Sequence, residues 1–280
     1  MGLLGNLAIG RILPRLILKE YIRDIWVFES EGGLTEDEMQ IVAPNGSVKL
    51  LLYYKGQLAT ARIGEHAFWM PKHRLFVEGV SDCPMIAGFD RDKPFGCISI
   101  ELHPAAAYRL LSVPQHELRN AIVPIGELIG APAARILEER IYLASNPAQK
   151  AALIQEYLTG LLARTERDAT FEHGATTIMN SRGLVSMAAL SRETGLSERW
   201  LRAKFAERLG ISPKTFASIV RFQSCYQAML RDKRGYLQEG HFNDRYYDQA
   251  HFIKEFKRFM GHSPARYTAL QNEVGEIIYK

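Results

Sequence analysis

The chain has 280 residues, 47% of them apolar and 24% charged, with a formal net charge of +4 at pH 7. That length and apolar content suit two globular domains, each with its own core. Its three cysteines, Cys83, Cys97 and Cys225, are too few and too dispersed for a disulfide framework and fit a reducing cytosol.

The apolar N-terminus is broken by Arg11, Pro14 and Arg15. It makes neither a spanning helix nor a good signal segment, so no membrane partner is expected. Strand-like runs follow at 21–28, at 47–54 ending in Lys55-Gly56, at 67–77 and at 96–102, punctuated by Gly and Pro. Pro104 to Leu111 opens helical structure, and two longer helices are expected at 131–144 and 147–165. The polar stretch from Arg164 to Gly183 suits a linker. The fold class is therefore α+β: a mixed, β-rich N-terminal domain with trailing helices over 1–165, a linker at 166–181, and an all-α domain over 182–270.

His66, His73, Glu78 and His103 are scattered over the β-rich part without the tight HxH pair of a cupin metal motif, so no metal site is assigned. Phe68, Trp69, Phe76 and Phe89 either line an apolar pocket or fill core. There is no Gly-rich phosphate loop, nucleophile elbow or HExxH. Neither catalysis nor a cofactor is expected, which leaves an unidentified small-molecule effector open.

The C-terminal third contains one segment twice, 51 residues apart. Leu201, Phe205 and Leu209 precede Gly210 and Ser212-Pro213; Phe252, Phe256 and Met260 precede Gly261 and Ser263-Pro264. Apolar residues at four-residue steps mark the buried stripe of a short helix. The glycines stand where a left-handed residue ends such a helix, and each Ser-Pro caps the next one. Ahead of the first stripe, Val185 to Glu198 reads as a short helix, a turn at Gly195 and an N-cap at Ser197, a helix-turn-helix arrangement.

With both copies, their spacing and the intervening helix in place, residues 182–268 resemble the double helix-turn-helix domain of AraC-type bacterial transcription regulators. The run from Tyr246 to Pro264 is especially similar to that family's C-terminal signature. The resemblance implies two recognition helices reading successive major-groove segments, joined by a long helix from Pro213 to about Arg231. The N-terminal part more weakly resembles an uncharacterised β-rich domain fused to such regulators. Tyr21-Ile22, Trp26, the run 43–50, the run 95–104 and the stretch 117–128 carry that likeness. It implies ligand sensing, dimerisation or both.

Arg199 and Arg202 should project outward from the first recognition helix, where arginine can pair bidentately with guanine. Ala203 leaves room for close approach. Trp200 either packs on sugar or a thymine methyl, or covers the helix turn. Lys204 and Arg208 suit phosphate. In the second helix Asp248 is the expected N-cap, Gln249 could read adenine, and His251 and Lys254 lie on the outward arc. Arg258, with Lys257, suits phosphate or plain solubility, and His251 could instead hydrogen-bond within the domain. This copy departs from the family pattern at Gly240, His241 and Arg245, which weakens the support expected for its helix.

Residues 181–270 carry 16 Lys and Arg against 8 Asp and Glu, while the rest carries 19 against 23. The basic excess thus coincides with the repeat, as phosphate neutralisation requires. The expected partner is double-stranded DNA. RNA polymerase and a second copy of the chain are further candidates, and the expected location is the cytoplasm, on the nucleoid. The competing readings are an effector-free DNA-binding adaptor and a ligand-binding or metabolic protein with a helical assembly tail.

Overall fold

The computed structural model describes residues 2–4, 7–32, 39–90, 93–162, 166–231, 245–270, 272–277 and 279. Eleven strands are seen among them: β1 (Gly2–Leu4), β2 (Leu7–Arg11), β3 (Ile22–Ser30), β4 (Gln40–Val42), β5 (Lys49–Lys55), β6 (Thr60–Ile63), β7 (His66–Ala67), β8 (Leu75–Glu78), β9 (Met85–Gly88), β10 (Phe95–Leu102) and β11 (Ile122–Pro124). They form an antiparallel sheet ordered β1-β2-β3-β10-β5-β8-β11 and a smaller one ordered β4-β9-β6-β7. The run expected as one strand at 67–77 is instead the end of β7, a loop and the start of β8.

β5 and β10 pair in the middle of the large sheet, and both are buried almost end to end. A central strand covered on both faces needs apolar residues on both, which is why these two read as near-continuous apolar runs. Leu50, Leu52, Ile98 and Ile100 face α1 (Ala107–Leu111), α3 (Ala131–Leu143) and α4 (Pro147–Leu162), through Leu110, Leu137, Ile154 and Leu158. Trp26, Leu51, Tyr53 and Cys97 face the other way, onto Ala61, Ile63, Met85 and Ala87 of the small sheet. Helices, large sheet and small sheet are thus three layers, with a short helix α2 (Gly126–Ile129) at the rim.

The stretch expected as a linker, 166–181, contains a helix, α5 (Ala169–Asn180). Asp168 caps it by accepting from the Phe171 N–H at 3.1 Å. Its Phe171, Ala175 and Ile178 are buried in the C-terminal core. There they meet α6 (Met187–Thr194), α7 (Glu198–Leu209), α8 (Pro213–Arg231), α9 (Gln249–Met260) and α10 (Pro264–Tyr267). Phe205, Phe216, Phe222, Tyr226, Phe252 and Phe256 form the aromatic centre of this core. Gly240 and His241 lie outside the described residues. Arg245 is half-buried, and its guanidinium donates to the Cys225 Sγ at 3.9 Å.

A final short helix, α11 (Glu273–Ile277), returns to the N-terminal half. Asn272 accepts from the Ile41 N–H at 2.6 Å and donates to the Ile41 carbonyl at 2.9 Å, and Tyr279 donates to the Ala43 carbonyl. Among the described residues no helix is long and apolar enough to cross a membrane.

Candidate nucleic-acid interface

The two repeats fold as two short helices with matching ends. Ser197 caps α7 by accepting from the Trp200 N–H, and Gly210 ends it at φ +89°. Asp248 caps α9 by accepting from the His251 N–H at 2.7 Å, and Gly261 ends it at φ +73°. Ahead of α7, Ser186 caps α6 and Gly195 closes it at φ +69°, giving the tight turn of a helix-turn-helix unit. Asp248→Ala is expected to cost about 1 kcal/mol, the usual loss for an N-cap. Thermal denaturation of the two proteins measures it.

Leu201, Phe205 and Leu209 anchor α7, and Phe252, Phe256, Phe259 and Met260 anchor α9. Burying those stripes leaves Arg199, Trp200, Arg202 and Ala203 of α7 exposed as one arc. Arg202 is held loosely, 3.6 Å from Glu198 one turn back. On α9 the exposed arc is Gln249, Ala250, His251, Ile253, Lys254, Lys257 and Arg258. His251 also stands edge-on to the Tyr246 ring, with its Nε2 3.8 Å from Glu255. Tyr247, at 95% exposure directly before the cap, belongs to the same surface. No pattern in the sequence distinguishes it from its buried neighbour Tyr246.

Lys204, Arg208 and Arg258 are placed differently. Lys204 Nζ lies 2.7 Å from Asp168, and Arg208 Nε is 3.1 Å from the same carboxylate. The Arg208 guanidinium also stacks over the Tyr108 ring of α1 at 3.7 Å. Burial alone would raise the Asp168 pKa, but Lys204, the Phe171 N–H and Arg208 outweigh it and hold the carboxyl below its ordinary range. Arg258 donates to Asp82, in the loop before β9, at 2.7 Å. Lys204 and Arg208 therefore face neighbouring protein and not the arc that carries Arg199 and Arg202, whereas Arg258 reaches the N-terminal half from a side chain that is still 46% exposed. No local signal marks this, because Asp82 and Arg258 are 176 residues apart.

The halves are joined over a continuous surface. The 3-10 turn Gln115–Leu118 packs on α7, and a Cβ at Gly210 would lie 2.6 Å from the Gln115 carbonyl. Ile41, Ala43 and Val80 belong to the same buried cluster as Phe216 and Phe256. Asp82 accepts from Arg119 at 2.8 Å and Asn120 at 2.9 Å as well as from Arg258. Burial would raise the Asp82 pKa, but these hydrogen bonds outweigh it and the net shift is downward. A depressed carboxylate stabilises above its unfolded value, about 3.9, and that stabilisation is lost as pH falls through the folded value. Asp82→Asn should therefore cost roughly 1.5–3 kcal/mol at pH 7, the worth of a charged hydrogen bond. The gap to wild type should close below about pH 4 in denaturant titrations at stepped pH.

Between the sheets lies a cavity of about 80 Å³, lined by Leu7, Trp26, Phe28, Met85, Phe89 and Phe95 among others. Of the four aromatics considered for a pocket, Phe89 lines it, Phe76 and Phe68 pack in or against the same core, and Trp69 is exposed. His66, His73, Glu78 and His103 are not gathered. Glu78 is paired with Lys49, and His73 stands edge-on to the Tyr142 ring. Among the described residues no three His, Cys, Asp or Glu are grouped to hold a metal ion.

Residues 190–269 match the family model described as a helix-turn-helix domain, and residues 10–124 match a domain of unknown function, DUF6597. No curated protein matches the chain. Among solved structures, an apo variant of ToxT from Vibrio cholerae is 9% identical, over 88% of this chain and 97% of that chain, with a TM-score of 0.49. A 1.65 Å structure of ToxT is 11% identical, over 88% and 99%, also at 0.49. ToxT bound to an unsaturated fatty acid is 9% identical, over 89% and 95%, at 0.46. Likenesses this distant carry no argument about ligand or partner. The two family matches, each on its own half, agree with the paired helix-turn-helix geometry: residues 190–269 form a helix-turn-helix domain of the AraC type, joined to a DUF6597 domain at the N-terminus.

Proposed function

We propose that Arg199, Trp200 and Arg202 on α7, with Gln249, His251 and Lys254 on α9, contact bases and groove walls on successive segments of one DNA site. Lys204, Arg208 and Arg258 act in a different capacity, reaching phosphate only when their contacts with Asp168, Tyr108 and Asp82 open. Residues 1–165 serve as the regulatory domain and 182–270 as the DNA-binding domain, with α5 working as part of the latter. A small molecule held in the intersheet cavity controls presentation of the two helices, and it does so only through a difference in affinity between states. The protein works in the cytoplasm on nucleoid DNA, without catalysis. It acts on promoters through RNA polymerase, as a single copy or a homodimer.

The observation that carries this reading is the pair of exposed arcs bearing polar side chains on two similarly capped helices, each left over once its apolar stripe is buried. Selection of genomic fragments by the purified full-length protein at near-physiological salt tests it. A recurrent two-part motif is expected, with affinity falling steeply as salt rises. Binding with no sequence enrichment in any condition would overturn the assignment of base contacts.

A further inference from the structure

Four charged residues lie side by side across the large sheet. Asp24 of β3 is opposite Glu101 of β10, Glu101 is opposite Lys49 of β5, and Lys49 is opposite Glu78 of β8. Directly opposed residues share a face. Here it is the one toward the small sheet, where Lys49, Glu78, Ser99 and Glu101 line the intersheet cavity. Asp24 is matched by Arg11, and Lys49 Nζ by Glu78 at 2.7 Å.

Glu101 is left over. It is 3% exposed, and among the described residues its one hydrogen bond comes from Asn45 Nδ2, at 3.1 Å. A second polar group in the cavity wall is also unmatched. The Trp26 indole N–H is buried without an acceptor among the described residues, in a residue only 9% exposed, and would be met only by a ligand that also carries an acceptor atom. Buried charge calls for a partner, and buried polar groups for hydrogen bonds.

The pattern discriminates between ligand charges. An anionic ligand would face Glu101 and compete with Glu78 for Lys49. A cation meets an available carboxylate with apolar walls behind it. Burial pushes the Glu101 carboxyl up, against the pull of Lys49, Arg23 and Asn45, so a cation or donor beside it would stabilise the charged form. A cavity of about 80 Å³ is smaller than the roughly 150 Å³ that accommodates benzene, so the occupant is small.

The same hydrogen bond leads to the DNA-binding half. Asn45 sits in the loop 43–47, where its Oδ1 also accepts from the Ser47 N–H at 3.0 Å. On either side of it the loop backbone touches α8: the Pro44 carbonyl accepts from Gln223 Nε2 at 2.7 Å, and Gly46, at φ +75°, packs on Phe216. A Cβ at Gly46 would stand 2.6 Å from the Phe216 ring. A shift of Asn45 toward or away from Glu101 cannot leave this contact undisturbed.

We infer that the cavity takes a small molecule with an apolar body and a cationic or N–H-donating head group that pairs with Glu101, and that Asn45 is the positioning residue through which its presence reaches α8. The inference rests on the effector reading above, which assigns control to this cavity.

The test uses full-length protein with ethylamine and n-propylamine as probes, and propionate and n-propanol as matched controls, at equal millimolar concentrations. The amines should raise Tm, the controls should not, and Glu101→Gln should lose the response. Glu101→Met, of similar volume and without charge, provides the same comparison if Glu101→Gln folds poorly. Equal stabilisation by propionate, or an amine response that survives both variants, overturns the ligand class while leaving other effectors open. Specific DNA affinity should change about 5-fold or more with saturating amine. Asn45→Ala and Gln223→Ala should each keep the Tm response and lose that change. An amine response through Glu101 with DNA affinity unchanged in wild type keeps the ligand class and overturns both the effector reading and the role of Asn45.

Discussion

Replacing Arg199 and Arg202 together by alanine is expected to abolish sequence discrimination at one half of the DNA site while leaving the fold intact. Both side chains stand on the exposed arc of α7, clear of the Leu201, Phe205 and Leu209 stripe. A bidentate arginine–guanine pair discriminates by about 1–3 kcal/mol, so losing two amounts to roughly 2–6 kcal/mol on the cognate sequence. That is a factor of about 30 to 10⁴ in Kd. Folding stability should change by no more than about 0.5 kcal/mol, because exposed substitutions away from caps and cores are nearly neutral. The loose Arg202–Glu198 contact adds only a few tenths to that. Fluorescence anisotropy on the selected motif, and on a scrambled fragment of equal length, separates the outcomes. A loss confined to the cognate fragment assigns base readout. An equal loss on both, with a shallower salt slope, would mean that these arginines bind phosphate instead.

The second large effect is on the N-terminal half. Lys49→Met should destabilise it by about 3–5 kcal/mol, because it removes one partner of a buried ion pair and strands the other. The Lys49 and Glu78 side chains are 8% and 3% exposed, 2.7 Å apart. Burial pulls the Lys49 pKa down, but Glu78 and Glu101 outweigh it, and the net shift is upward. A raised lysine stabilises below its unfolded value, about 10.4, and that contribution is lost only as pH climbs through the higher folded value. At pH 7 the full penalty should therefore appear in urea titrations followed by circular dichroism. The double variant Lys49→Met/Glu78→Leu should recover part of it, since an apolar pair of similar volume often replaces a buried ion pair at little cost while Glu101 still loses the cation opposite it. A neutral single variant would show that the pair is solvated in solution.

The two halves of the chain differ in how much of them could be read without coordinates. α7 and α9 were legible to their caps, because period, N-cap and left-handed terminus are local properties of a dozen residues. β5 and β10 were legible as strands for the related reason that burial on both faces demands uninterrupted apolar residues. α5 was not. Phe171, Ala175 and Ile178 carry its stripe, but Gly174 and a run of polar neighbours dilute it, and only packing against Phe205 makes the helix worthwhile. β4 and β9 were missed for want of length: three- and four-residue strands show too little alternation to stand out.

Among the basic residues, the sequence alone determined that the C-terminal third is positively charged, twice repeated and built to present two capped helices. It could not sort those charges. Arg199 and Arg208 lie on the same helix, yet one faces outward and the other stacks on Tyr108, because the N-terminal half covers one side of α7. Arg258 is held by Asp82 for the same reason. In the sheet, Glu101, Lys49 and Glu78 are separated by 52 and 29 residues and become neighbours only through strand register. Helical periodicity and capping are set by neighbours along the chain, whereas charge matching and the facing of helices depend on which distant segments fold against one another. The tertiary structure alone decided which cations pair with distant carboxylates and which stay exposed, and which carboxylate has no ion pair of its own among the described residues.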